Sequence, residues 1–152
     1  MRDNGENGLD LFSIGYESYD PQTFFLRLKM SDVDCLVDVR KSPISRKKGF
    51  SKRQLDEAAN RNSIRYVHFG DLGAPKELRE ELKTTRNYDL FFEKYREHLL
   101  DHDESLGELI NLIGNSRSCI MCLEHSCLHC HRRVLIETLQ KKNRDIELTL
   151  LE

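Results

Sequence analysis

The chain contains no apolar run approaching the roughly 18 residues needed to span a bilayer, so a helical membrane protein is excluded and no membrane partner is expected. Its first ten residues, MRDNGENGLD, lack the apolar core of a secretory signal. Polar, acidic and rich in Gly and Asn, 1–10 reads as a short flexible tail on a cytoplasmic protein. Repeats and low-complexity segments are missing as well, and with them any sign of a second domain. The cysteines do not form an even set: there are five, and four of them fall between 119 and 130. That pattern excludes a disulfide framework and leaves thiol chemistry, metal, or chance. Acidic residues are absent from 40–53, RKSPISRKKGFSKR, which holds seven Lys and Arg in fourteen positions although the chain's net charge is −2.

What is present is a globular composition, with 38% hydrophobic and 33% charged residues in a length of 152. Such a chain forms one domain, expected over 11–152, and buries about two-thirds of its unfolded surface. Short apolar runs predict strands near 11–15, 33–39, 64–69, 118–124 and 145–151. Between them, 21–30, 51–62, a block from about 76 to 114, and 131–143 carry helical spacing or helix-favouring composition. The alternation predicts an α/β, three-layer domain: a mainly parallel sheet of about five strands with helices on both faces. Strand order and oligomeric state are not encoded in these patterns. In such sheets ligands sit beyond the carboxyl ends of the strands, which singles out the segments after Gly15, Asp38 and Cys122.

The stretch 119–133, CIMCLEHSCLHCHRR, contains two CxxC spacings, the usual argument for zinc. On a strand over 118–124 side chains alternate, so Cys119 and Cys122 point to opposite faces and cannot grip one ion. No metal and no cofactor is therefore expected, although His125, Cys127, His129, Cys130 and His131 remain loop candidates for a zinc-binding module. The same alternation puts Cys122 and Glu124 together at the strand's end. Cys130, His131 and Arg132 then open a helix whose unpaired amides and dipole favour an anion and lower a thiol's pKa. Cys119 has the profile of a small core residue. The basic run 40–53 follows the LVDVR strand at the same edge, and two positive segments at one edge predict an anion site suited to phosphate. The length of that run, beyond the needs of a mononucleotide, favours a polyphosphate or nucleic-acid strand over a small acid, with oligonucleotide binding expected to weaken steeply with salt.

The motifs SIGYES, LVDVRKSPISR, GFSK, IRYVHFGDLG and C-x-E-x5-C-H-R (122–132) resemble domain of unknown function 488 over about 14–150. The resemblance implies a compact α/β domain whose shared polar residues gather at one edge. Carried over by position, they are Gly15, Asp38, Arg40, Pro43, Arg46, His68, Leu72, Gly73, Cys122, Glu124, Cys130, His131 and Arg132. The chain departs from the pattern at Tyr16, where the family often has His. LVDVR and a cysteine closing a later strand also look like the rhodanese arrangement, but the loop after Cys122 is not the short Gly/Arg-rich cradle of that fold.

Three functions follow. The first is an enzyme or recognition domain for a nucleotide or nucleic acid. There Arg40, Arg46 and Arg132 hold the anion, Glu124 or His131 moves protons, and Cys122 or Cys130 serves as nucleophile or orienting group. Gly15, Tyr16, Asp38, Pro43, His68 and Gly73 support them. The second is the zinc-binding module, and the third a non-catalytic partner-binding domain whose polar cluster is structural. A concave polar pocket distinguishes the first from the third, which needs an exposed apolar patch.

Overall fold

The computed structural model describes residues 8–151. Five strands, all parallel, form one sheet: β1 (Leu9–Gly15), β2 (Cys35–Asp38), β3 (Arg65–His68), β4 (Ser118–Cys122) and β5 (Ile146–Leu150), in the order β3-β2-β4-β1-β5. The helices are α1 (Pro21–Met30), α2 (Lys52–Arg61), α3 (Lys76–Thr85), α4 (Tyr88–Leu100), α5 (Asp103–Asn115) and α6 (Arg132–Lys142). Among the described residues no helix is long and apolar enough to cross a membrane.

Alternation along the strands builds two cores. Leu11, Val37 and Ile120 face one way and pack with Phe92, Tyr95, Leu109 and Leu135 of α4, α5 and α6. Phe12, Leu36, Cys119 and Met121 face the other way and pack with Phe24, Leu28, Leu55 and Ala59 of α1 and α2. The sheet is thus covered on both faces, which is why its central strands read as continuous apolar runs.

Several limits differ from the sequence expectation. Strand β1 begins at Leu9, pairing Leu9 with Ile146 and Asp10 with Glu147, so these two residues belong to the sheet rather than to a tail. The rest of the expected tail, 1–7, lies outside the described residues. Strand β4 stops at Cys122 because the chain turns there: Tyr16 N and Glu17 N donate to the carbonyls of Cys122 and Leu123, carrying 123–125 across the end of β1. The helical block from 76 to 114 is three helices. Arg86 takes a left-handed conformation (φ 56°) that closes α3, and the Asn87 side chain caps α4 by accepting from Leu90 N at 3.1 Å.

Candidate functional site

The topology creates a crevice at the carboxyl end of β4. Strand β4 lies between β1 and β2. The chain leaving it enters α6 on one face of the sheet, whereas the chains leaving β1 and β2 enter α1 and α2 on the other. Neighbouring strands whose helices diverge leave a gap between them, the position where open α/β sheets bind ligands. The segments after Gly15, Asp38 and Cys122 meet there.

One wall is a buried ion pair. Arg40 donates from Nε to Asp38 Oδ1 at 2.9 Å and from Nη2 to Oδ2 at 2.7 Å, a two-pronged fit of guanidinium to carboxylate. Asp38 has no solvent exposure, and it also accepts from Tyr66 Oη at 2.5 Å. Arg40 Nη1 donates to the Phe50 carbonyl at 2.7 Å and to Tyr16 Oη at 3.3 Å. Burial works against charge on Arg40, but the adjoining carboxylate overrides it and holds the guanidinium pKa above its ordinary value. Burial, with the Asp38 charge next, raises the pKa of the Tyr66 phenol. Tyr16 stacks flat on Phe50, with centroids 4.6 Å apart, which fixes its hydroxyl against Ser45 and Arg40.

The floor is built from β4 and the start of α6. Two imidazoles hold consecutive carbonyls beyond β2: His131 Nε2 donates to Val39 O at 2.8 Å, and His68 Nε2 to Arg40 O at 2.7 Å. A carbonyl only accepts, so Nε2 of His131 carries a proton and Nδ1 is the atom turned to the thiols. Nδ1 lies 3.6 Å from Cys130 Sγ and 3.9 Å from Cys122 Sγ. The ring of Tyr95, from α4, meets His131 edge-on at 5.2 Å. Burial pushes the Cys130 thiol up, but a hydrogen bond from Cys122, the His131 charge and Arg132 bring its pKa well below the usual thiol value. Cys122 is raised well above that value by its bond to Cys130 and by burial. Burial opposes a charge on His131, yet the Cys130 thiolate raises its pKa. Burial, followed by the Cys130 charge, raises the Glu124 carboxyl, and Glu124 Oε2 is buried without a hydrogen-bond partner.

Arg132 does not face the pocket. It is 1% exposed, and its guanidinium turns inward: Nε donates to Cys130 Sγ at 3.3 Å, Nη1 to Ser13 Oγ at 2.9 Å, and Nη2 to the Glu124 carbonyl. The expectation that Arg132 holds an external anion is corrected: its donors brace β1, the 123–125 turn and the Cys130 sulfur. The Glu124–Arg132 contact is made through the backbone carbonyl, not as a surface ion pair. Arg133 likewise pairs with Glu137 at 3.5 Å and lies over the Phe92 ring.

A pocket of about 320 Å³ opens over this floor. Of the residues expected from sequence it brings together Tyr16, Arg40, Cys122, Glu124, Cys130 and His131. Asp38 and His68 stand behind its wall as supports of Arg40. Gly15 and Gly73 mark close approaches: a Cβ at Gly15 would lie 1.7 Å from the Glu124 carbonyl oxygen, and one at Gly73 would lie 2.2 Å from Lys41 N. Pro43 and the exposed Arg46 sit on the loop after β2 and do not line the pocket.

The basic run divides. Lys41 lines the pocket, whereas Lys47 and Lys48 line a separate depression beside Asp20 and Glu57. Lys47 Nζ also donates to the carbonyls of Tyr16 and Glu17, so it braces the segment after β1. Sequence reasoning missed Arg79 and Lys83, which line the pocket from α3 together with Leu82. Their signal was available: they stand four apart, on one helical face, in a segment otherwise rich in Glu. Cys119 lies in the opposite core, as the strand alternation requires.

Comparison with known proteins gives one match: the family model described as Domain of unknown function DUF488 covers residues 20–139. No curated protein matches the chain, and no solved structure does.

Proposed function

The chain belongs to the DUF488 family, and from that premise we propose that it is an enzyme whose pocket takes a phosphate-bearing small molecule of nucleotide size. The observation that carries this reading is the placing of cations and reactive groups around one cavity. Lys41, Arg79 and Lys83 stand at the rim, Arg40 forms the wall, and Cys122, Cys130, His131 and Glu124 form the floor. The rim cations are free to meet phosphate oxygens, while Arg40 is committed to Asp38 and presents only a positive edge. Ile44, Leu82, Phe91 and Leu123 supply apolar lining for a base or sugar. The floor acts on whichever part of the ligand descends past the phosphate. Thermal-shift titration with nucleoside phosphates and inorganic phosphate tests this reading. A nucleotide that raises the Tm of the natural chain and fails to do so in Lys41→Ala/Arg79→Ala/Lys83→Ala supports it. A panel without any shift at low salt, where charge attraction is strongest, refutes it.

A nucleic-acid strand is the second reading, favoured by the exposed Arg46, Lys48 and Lys52 on the loop and helix beyond the pocket. Each phosphate neutralised adds about −0.7 to the slope of log affinity against log salt for a single strand. Replacing Arg46, Lys48 and Lys52 should then flatten the slope by about 2. Lys47 is not a fair member of that set, because its loss would free the segment after β1.

A further inference from the structure

We propose that Cys122, Cys130 and His131 are the three protein ligands of a zinc ion whose fourth coordination position opens into the pocket. The inference deepens the proposed function, and rests on it only for what the ion would face. The three ligand atoms, two Sγ and His131 Nδ1, lie within 4.8 Å of one another on buried side chains. Bonds of about 2.3 Å to sulfur and about 2.1 Å to nitrogen, at tetrahedral angles, set an S···N edge of about 3.6 Å. The corresponding edges in the structure are 3.6 Å to Cys130 and 3.9 Å to Cys122. The pair is therefore spaced for a common ion as well as for hydrogen bonding.

The surroundings are those of a metal thiolate. The proton on His131 Nε2 is fixed by the Val39 carbonyl, the second contact that metal-bound imidazoles regularly make, so Nδ1 is the ring nitrogen that faces the thiols and that an ion would take. Cys130 Sγ accepts from the backbone N–H of Arg132 at 3.5 Å and from its Nε at 3.3 Å. Such donors reduce excess charge on a ligating sulfur. Two thiolates balance the double charge of the ion, and soft sulfur with imidazole selects zinc over magnesium or calcium.

An independent observation is the Glu124 carboxylate. Its Oε2 is buried without a hydrogen-bond partner, beside the thiols and on the pocket wall. A water in the fourth position of such an ion would supply the missing donor. All four groups line the pocket, so three protein ligands with one open position is the catalytic rather than the structural pattern of zinc. This set differs from a double-CxxC site: Cys119 packs in the opposite core, and the 119–122 pair contributes only one ligand.

The test is metal uptake by the full chain, with zinc measured after dialysis and cobalt titrated into the metal-free protein. The expected result is one ion per chain, with a thiolate-to-cobalt charge-transfer band and the intense visible absorption of a four-coordinate ion. Cys122→Ala and His131→Ala should weaken cobalt binding more than about 100-fold, beyond the loss that follows removal of a supporting group. Cys119→Ala and Glu124→Gln should keep the ion. A folded natural chain that takes up neither metal, or uptake undiminished in Cys122→Ala, overturns the proposal. If the variants fail to fold, the cobalt spectrum of the natural chain still decides, since absence of thiolate charge transfer rules out these ligands. No phosphate ligand enters the measurement, so its failure leaves the rim cations' reading standing. Loss of nucleotide binding with metal retained would have the opposite meaning.

Discussion

Arg40 and Arg132 both come from the motifs that suggested an anion site, yet each spends its guanidinium on the protein itself. Sequence shows that an arginine stands near a sheet edge; it does not show whether the long side chain reaches outward or folds back. Here Asp38, two residues before Arg40, and Ser13, on the strand beside β4, turn them inward. Removing one partner of a buried pair leaves an uncompensated charge, so Arg40→Ala should lower unfolding free energy by about 3–5 kcal/mol, read from urea denaturation. Arg132→Ala should cost a similar amount, because Ser13, Cys130 and the Glu124 carbonyl lose a common donor. A loss under about 1 kcal/mol in either variant would mean that these arginines are solvent-facing after all. Gly15→Ala should be still less tolerated for its size, since the added methyl meets the Glu124 carbonyl at 1.7 Å and must displace the 123–125 turn. Cys119→Ala, by contrast, removes only a buried sulfur in the other core and should cost about 1 kcal/mol while ligand binding persists.

Among the elements, β4 was the most legible. Five consecutive buried residues, Ser118–Cys122, with their neighbours alternating between two cores, follow directly from an apolar run of strand length. Its carboxyl end was not legible, because the turn at 123 is imposed by hydrogen bonds from Tyr16 and Glu17, more than a hundred residues away in sequence. Helix α3 falls inside the expected helical block, but its place at the pocket was not foreseen. None of its residues is fully buried, and the spacing of Arg79 and Lys83 marks a shared face without saying what that face covers. Its place over the pocket depends on α4, which it meets through the Glu81–Lys94 ion pair at 2.8 Å. Because α3 contributes so little to the core, Arg79→Glu/Lys83→Glu should shift Tm by only a few degrees while weakening phosphate-ligand affinity by at least about tenfold, a change of 1.4 kcal/mol. Calorimetric titration alongside a melting curve separates the two effects. Equal losses in both would make α3 a structural element rather than a rim.

For the whole molecule, the class and the parallel sheet were readable from alternation of apolar runs and helical segments, but the order β3-β2-β4-β1-β5 was not. Pairing of β4 between β1 and β2 joins residues far apart in the chain, and no local pattern records it. That single insertion brings Tyr16, Arg40 and Cys122 to one crevice, and so turns scattered motifs into a pocket. The ligand proposed for this crevice is phosphate-bearing. The most direct measurement is amide chemical-shift mapping as a nucleoside monophosphate is added to isotope-labelled protein. Binding in the crevice should give saturable shifts confined to the segments around Tyr16, Lys41–Ile44, Arg79–Lys83 and Cys122–His131. Shifts centred on Lys48 and Lys52, or no saturable shift at any amide, would contradict it.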